Sequence, residues 1–302
     1  MKTIIQDLGM LQGNHLWMKR EDLIPFSFGG NKARKAELFF REIDGGGYDS
    51  VVTYGSGSSN HCRVVANECC RRGLRCCIVS PDGSDEALFN RRMTELFGAE
   101  ITAAPLDEIH GTIERKLEEL RSEGEKPYFI AGGGHGPIGT RAYVECYGEI
   151  KSFEEENGVH FDQIFLASGT GTTQAGLVCG QILAGDERKI VGISIARKNP
   201  RGRDVVLESV RDYLGDRARE EEIEGKTIFI DSYTTGYGKR DERVTKTIET
   251  VLKSFGIPLD PVYTGKAFFG MTEQLRETSG ENVLFIHTGG TPLFFDALSG
   301  HS

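Results

Sequence analysis

Positive charge is in short supply in this 302-residue chain: 36 Lys and Arg stand against 45 Asp and Glu, a formal charge of −9. Nucleic acid and anionic membrane surfaces both call for a basic face, so neither is expected as a partner. No run of about 18 apolar residues occurs, and the opening Met1–His15 segment lacks the apolar centre of a secretory leader. A cytoplasmic protein is therefore expected. The P-loop pattern G-x-x-x-x-G-K-[ST] is absent as well. Cysteines number 7, an odd count, and none has the spacing of a zinc site. Cys69-Cys70 and Cys76-Cys77 are adjacent pairs, and neighbours on a strand point to opposite faces. All seven thiols (Cys62, Cys146 and Cys179 are the others) are expected to be buried and structural, in a reducing compartment.

What is present is an ordinary globular composition, 38% hydrophobic and 27% charged. The length suits two α/β lobes with a core that needs no disulfide or metal. Short β-branched runs recur at 51–54, 75–79, 100–104, 128–131, 163–167, 190–195, 227–230 and 283–287. Between them lie helical patterns: Ala36, Phe39, Phe40 and Ile43 fall at i, i+3, i+4 and i+7. Phe89, Met93, Leu96 and Phe97, at i, i+4, i+7 and i+8, form another helical stripe before Gly98. Such alternation predicts parallel sheets with helices on their faces. The first four strands are expected in one sheet and the last four in another, divided near Glu149–Val159, with a cleft between the lobes.

Three glycine-rich turns sit where a strand hands over to a helix, the place where open α/β sheets bind ligands. They are 55–60, 132–139 and 168–173. In the third, glycines let backbone N–H groups converge, threonines add donors, and the following helix start supplies positive potential, a combination suited to a phosphate monoester. A plain turn with hydroxyl caps is the other reading. The second turn contains G-x-G-x-x-G as Gly134 to Gly139, a weak dinucleotide fingerprint in a chain with 39 glycines. Close packing between lobes explains it as well.

Lys32 opens a predicted helix directly after Gly29-Gly30-Asn31. A cation is disfavoured at a helix start unless its charge is lowered or masked, as in a Schiff base with an aldehyde. A solvated surface lysine is the alternative. Lys19-Arg20-Glu21-Asp22 followed by Gly29-Gly30-Asn31-Lys32-Ala33-Arg34-Lys35 resembles the 1-aminocyclopropane-1-carboxylate deaminase / D-cysteine desulfhydrase family. The likeness continues at Ser59-Asn60-His61, at Thr170 to Gly176, at Asp260 to Lys266 and at Phe285 to Gly290. It thus runs from about residue 17 to 292.

This resemblance implies a pyridoxal 5′-phosphate (PLP) enzyme of the tryptophan-synthase-β fold type: an α/β protein in two domains, each a mostly parallel sheet flanked by helices. It implies a larger domain of residues 1–46 and 151–302 and a smaller one of 47–150, assembled as a homodimer. Lys32 resembles the Schiff-base lysine that also acts as base at Cα. Lys35 with Thr170, Gly171, Thr172 and Thr173 resembles the phosphate ligands, and Asn60 the partner of the cofactor's ring oxygen. Ser59, with His61, looks like the receiver of the substrate carboxylate. Tyr237 and Tyr263 match the tyrosines that flank the substrate and relay protons. Thr264 and Thr288 stand where the deaminases typically have Glu and Leu, as in the desulfhydrases. Thr288 is thereby the hydroxyl partner of the pyridine nitrogen. A ring left neutral is a weaker electron sink, which favours α,β-elimination of a good leaving group over ring opening.

Three features depart from the family pattern: Ser58 in place of Gln, 238–241 with its cationic Lys239-Arg240 in place of Gly-x-Pro-Asn, and His135 in place of Ser or Asn. Those cations sit on a surface loop, or else they receive a second anionic group of the substrate. The rival outcomes are ring-opening deamination, β-replacement synthesis, and a PLP-binding protein without turnover.

Overall fold

The computed structural model describes residues 1–83 and 88–300. A hairpin that the sequence reading did not anticipate opens the chain. Strands β1 (Ile5–Leu11) and β2 (Asn14–Arg20) pair antiparallel across Gln12 and Gly13, whose φ angles of 50° and 80° suit a two-residue turn of the mirror-image kind. Helix α1 (Asn31–Gly46) follows.

All eight expected strand segments are strands. Four form one parallel sheet, in the order β5 (Glu100–Ala104), β4 (Arg75–Pro81), β3 (Ser50–Tyr54) and β6 (Pro127–Ile130). The other sheet has six strands: β1, β2, β10 (Asn282–His287), β7 (Gln163–Ser168), β8 (Lys189–Ser194) and β9 (Ile228–Ile230). Every neighbouring pair in it except β1–β2 is parallel. Central β7 is buried along its whole length, as a parallel strand covered on both faces should be.

The connecting helices cover both sheets. Those nearest the site are α2 (Asn60–Arg72), α3 (Phe89–Leu96), α5 (Pro137–Asn157, after α4 at Ile109–Ser122) and α6 (Thr172–Leu183). Helices α7 (Arg201–Leu214), α8 (Glu220–Lys226), α9 (Glu242–Phe255), α10 (Thr264–Gln274) and α11 (Thr291–Leu298) complete the chain. Helix α6 lies tight against α5: a Cβ at Gly176 would stand 2.3 Å from Thr140 O, and one at Gly180 2.5 Å from Tyr147 Cβ.

Two core clusters bear on where the chain divides. Ala33, Ala36, Phe39, Phe40 and Ile43 of α1 pack with the four-stranded sheet, while Leu38 of the same helix joins the core of the six-stranded one. The expected cut at 150/151 falls inside α5, whose Ala142, Tyr143, Cys146, Tyr147 and Ile150 belong to the core of the six-stranded sheet. Apolar faces drove both outcomes, and the acidic 154–156 run is only the end of α5. Six of the seven thiols are buried; Cys70 is exposed, because it follows Cys69 on α2 and so points off the buried face.

Below the site lies a buried ionic cluster. Arg34 of α1 donates to Glu21 (Nη2–Oε1 2.8 Å) and to Glu149 of α5 (Nη1–Oε1 2.7 Å), and Lys19 of β2 donates to Glu149 at 2.9 Å. It ties the N-terminal strand, α1 and α5 together. Glu21, Cys146 and Glu149 are the one grouping of metal-ligand types among the described residues, and these two cations already neutralise its carboxylates.

Candidate active site

Loops leaving the carboxyl ends of β3, β6, β7, β8 and β10 converge with the start of α1 on one cavity of about 400 Å³. Its position is the one parallel sheets favour for ligands. No aspartate or glutamate is among the described residues that line it.

Lys32 reaches this cavity because of the two glycines before it. Ser27, Phe28, Gly29 and Gly30 all have positive φ, 46° to 94°. A Cβ at Gly29 would meet Asp22 O at 2.4 Å, and one at Gly30 would meet Thr288 O at 2.7 Å. The chain can then dock α1 on the end of β10, through Asn31 N to Thr288 O at 3.0 Å. Lys32 Nζ donates to Gly133 O at 2.9 Å and pairs with no carboxylate among the described residues. Burial pushes its pKa down to about 8.

The 168–173 turn leads from β7 into the start of α6. The first helical bond there runs from Ala175 N to Gly171 O at 2.9 Å, so the N–H groups of Thr172, Thr173 and Gln174 have no partner within the helix. Thr170, Gly171 and Thr173 line the cavity, and Asn31 Nδ2 donates to Thr173 Oγ1 at 3.0 Å. Lys35 and Thr172 do not line it. They are buried behind the loop, Nζ to Oγ1 2.6 Å, where burial and then the Lys32 charge hold the Lys35 pKa well below the lysine range.

At the start of α2, Ser59 accepts from Cys62 N at 3.2 Å, which leaves its own hydroxyl proton free toward the cavity. His61 lines the cavity too, with its Nε2 beside Thr53. Thr53 Oγ1 donates to Ile130 O at 2.7 Å, so at 2.9 Å from His61 Nε2 it must accept. His61 is accordingly the neutral Nε2–H tautomer, and burial followed by the Lys32 and Lys35 charges keeps its pKa well below the usual value.

Tyr237 and Tyr263 meet hydroxyl to hydroxyl at 3.0 Å, and Ser58 Oγ stands 3.3 Å from the Tyr237 hydroxyl. Asp260 sets Tyr263 by accepting its N–H at 2.7 Å, and Lys266 sets the Tyr237 loop by donating to Gly236 O at 2.5 Å. The two threonines part company. Thr264 is wholly buried, its hydroxyl donating to Asp260 Oδ2 at 2.7 Å, whereas Thr288 lines the cavity and its hydroxyl has no partner among the described residues.

Lys239, Arg240 and His135 are not cavity residues; His135 Nε2 faces Ser209 Oγ at 3.5 Å. The cation at the mouth is Arg197, just past β8, which donates to Gly169 O. Tyr54 and Asn31 also line the cavity unannounced. Their place at strand ends and a helix start is the signal that marks them. In the 132–139 turn, a Cβ at Gly139 would stand 1.9 Å from Gly134 O, so that glycine serves close packing.

The donor set matches one kind of guest. Two lysines without carboxylates, free N–H groups at a helix start and an orphan hydroxyl fit a phosphate-bearing aromatic aldehyde, with Lys32 the amine that can hold it.

Comparison with known proteins agrees. The family model described as pyridoxal-phosphate dependent enzyme matches residues 3–289. A 1-aminocyclopropane-1-carboxylate deaminase of Ralstonia nicotianae is 33% identical over 311 aligned residues, covering 96% of this chain and 92% of that protein. A D-cysteine desulfhydrase of Serratia proteamaculans is 31% identical, covering 94% and 88%. The crystal structure of an ACC deaminase homologue superposes with a TM-score of 0.86 at 32% identity, over 100% of this chain and 94% of that one. An O-ureido-L-serine synthase, at 16% identity and a TM-score of 0.70 over 98% and 93% of the chains, shares the fold.

Proposed function

The chain belongs to the pyridoxal-phosphate dependent enzymes, and from that premise we propose that it eliminates the β-substituent of a small amino acid, with D-cysteine as the first candidate. The observation that carries this reading is the cavity without a carboxylate, in which Thr288 offers the hydroxyl. When bound, PLP supplies the electron sink for bonds at Cα. A hydroxyl leaves the pyridine nitrogen unprotonated, so the sink is weak, and a weak sink suffices where a good leaving group departs.

Each side chain then has a task. Lys32 holds the cofactor and, with a pKa of about 8, can take the Cα proton near neutral pH. The free N–H groups of α6 receive the phosphate, with Lys35 supporting them through Thr172. Ser59 and the backbone N–H groups at the start of α2 receive the substrate carboxylate, to which the His61 side chain gives no charge. Tyr263, held protonated first by burial and then by its tyrosine neighbour, delivers a proton to the leaving group. D-Cysteine and water would give pyruvate, ammonia and hydrogen sulfide.

Ring-opening deamination is the second reading, supported by the 33% identity to the Ralstonia deaminase. Purified protein with PLP, offered each substrate, separates the two. Sulfide and pyruvate from D-cysteine support elimination; 2-oxobutyrate from 1-aminocyclopropane-1-carboxylate with no sulfide from D-cysteine overturns it. No helix among the described residues is long and apolar enough to cross a membrane. Homodimeric assembly and a cytoplasmic setting belong to the same proposal, supported by the exposed Phe28, Phe295 and Leu298 and by seven unpaired thiols.

A further inference from the structure

Arg63 of α2 is wholly buried and has no carboxylate partner among the described residues. Its Nη1 donates to Asn90 Oδ1 at 3.0 Å and to Asn60 Oδ1 at 3.3 Å, while Nε and Nη2 have no partner among the described residues. The guanidinium lies over the Phe28 ring, 5.6 Å from its centroid. An isolated buried cation is costly, and a chain keeps one where its field is used. Burial pulls its pKa down to about 9, so it stays charged at neutral pH.

A guanidinium can only donate, so its contacts decide which way two amides point. Oxygen must face Arg63 in both Asn60 and Asn90. Asn90 Nδ2 is thereby turned to Ser58 O at 2.8 Å and to Asn60 Oδ1 at 3.0 Å. Asn60 Oδ1 is thus doubly occupied. Its Nδ2 has no partner among the described residues, and Asn60 lines the cavity. The amide stands between a buried positive charge and the guest, its N–H made more acidic by donors on its oxygen.

On the reading of this site as a PLP site, we propose that Arg63 is a positioning residue that, braced by Asn90, orients and polarises the Asn60 amide to stabilise an anionic ring oxygen beside the cofactor's aldehyde. Arg63 touches neither cofactor nor substrate. Its effect passes through one amide.

Other charges around Asn60 and Arg63 are few. Lys32 and Lys35 reach the area from α1, His61 is neutral, and Arg91 of α3 is paired with Glu95 at 2.6 Å. The measurement is a pH titration of the visible absorption of PLP-loaded protein without substrate, together with the PLP dissociation constant. Arg63→Met should raise the spectral midpoint by about one unit, a tenfold change in proton affinity, and weaken PLP binding. Arg63→Lys should recover part of the shift. Should Arg63→Met not fold, Asn90→Ser leaves the guanidinium in place and should move the midpoint the same way by less. Bound PLP with an unmoved midpoint in the folded variants overturns the proposal. A wild-type protein that gives no visible band with PLP overturns the cofactor site itself, a different failure.

Discussion

Lys32 Nζ lies 2.9 Å from the carbonyl oxygen of Gly133, and this oxygen is its one hydrogen-bond partner among the described residues. A neutral carbonyl holds an ammonium far less firmly than a carboxylate would, so little here anchors the charge. Burial lowers the lysine pKa from 10.5 to about 8. Since only the neutral amine attacks an aldehyde, the rate of PLP capture should climb with pH and level off above about 8 rather than 10.5. Stopped-flow absorbance of the apoprotein mixed with PLP gives the profile. Lys32→Ala should show no capture, and a rate still rising past pH 10 would contradict the lowered pKa.

Tyr263 and Tyr237 share a hydrogen bond of 3.0 Å, but their surroundings differ. Tyr237 is 47% exposed; Tyr263 is held by Asp260, and burial followed by Tyr237 raises its pKa well above 10. Tyr263 is therefore a proton donor throughout the neutral range. Tyr263→Phe should lower kcat by about 10²- to 10⁴-fold, the span of a positioned acid, with PLP affinity little changed. Tyr237→Phe should cost less, because Tyr263 keeps its proton. Steady-state kinetics on the preferred amino acid tests the order; equal losses would mean that the two hydroxyls act as one unit.

How far this site could be read in advance depended on how local each signal was. Lys32, Ser59, Asn60 and the 168–173 turn sit in short motifs at strand ends, and the structure gathers them in one cavity. Lys35 and Thr172 sit in the same motifs, yet their side chains face each other behind the loop, with Lys35 running under Gly134 and Gly139. Arg63 and Asn90 carry no motif at all. Their role appears only when α2 and α3 are packed. The first hairpin was missed because Gln12-Gly13 is a weak turn signal and β1 has no clean alternation, with neither face fully buried. Where one lobe ends and the next begins is not legible in charge, because charge runs mark surface, while packing decides which core a helix joins.

Thr264 and Thr288 should respond to the same substitution in opposite ways. Thr264 Oγ1 donates to Asp260 Oδ2 at 2.7 Å and accepts from Asp260 N at 2.9 Å, all of it buried. Thr264→Val should cost about 1–3 kcal/mol of stability, the usual toll of stranding buried partners, seen as a lower urea midpoint. Thr288→Val removes a hydroxyl that no described protein atom uses, so stability should hold while the spectrum and turnover of the PLP-loaded enzyme change. A destabilised Thr288→Val with unaltered spectrum would assign that hydroxyl to the fold instead.

Acid should find its weak point at Glu21. Burial alone would raise this carboxyl, but the Arg34 hydrogen bonds and charge, with Lys19 behind them, outweigh burial and bring it below 4.5. A carboxyl lowered in the folded state binds fewer protons there than in the unfolded chain. Its contribution is therefore complete above about pH 4.5 and is lost as pH falls through the lowered value. Removing it leaves Lys19 and Arg34 to share the single charge of Glu149, so one buried cation goes uncompensated: Glu21→Ala should cost about 3–5 kcal/mol at neutral pH. The double change Glu21→Ala with Arg34→Met should cost less than the two single changes added together, because Lys19 and Glu149 then remain as a matched pair. Urea unfolding of the three variants at pH 7 and pH 4 measures both. Strict additivity at either pH would show that Glu21 and Arg34 stabilise the fold separately, and not as the pair that docks α1, and with it Lys32, against the larger sheet.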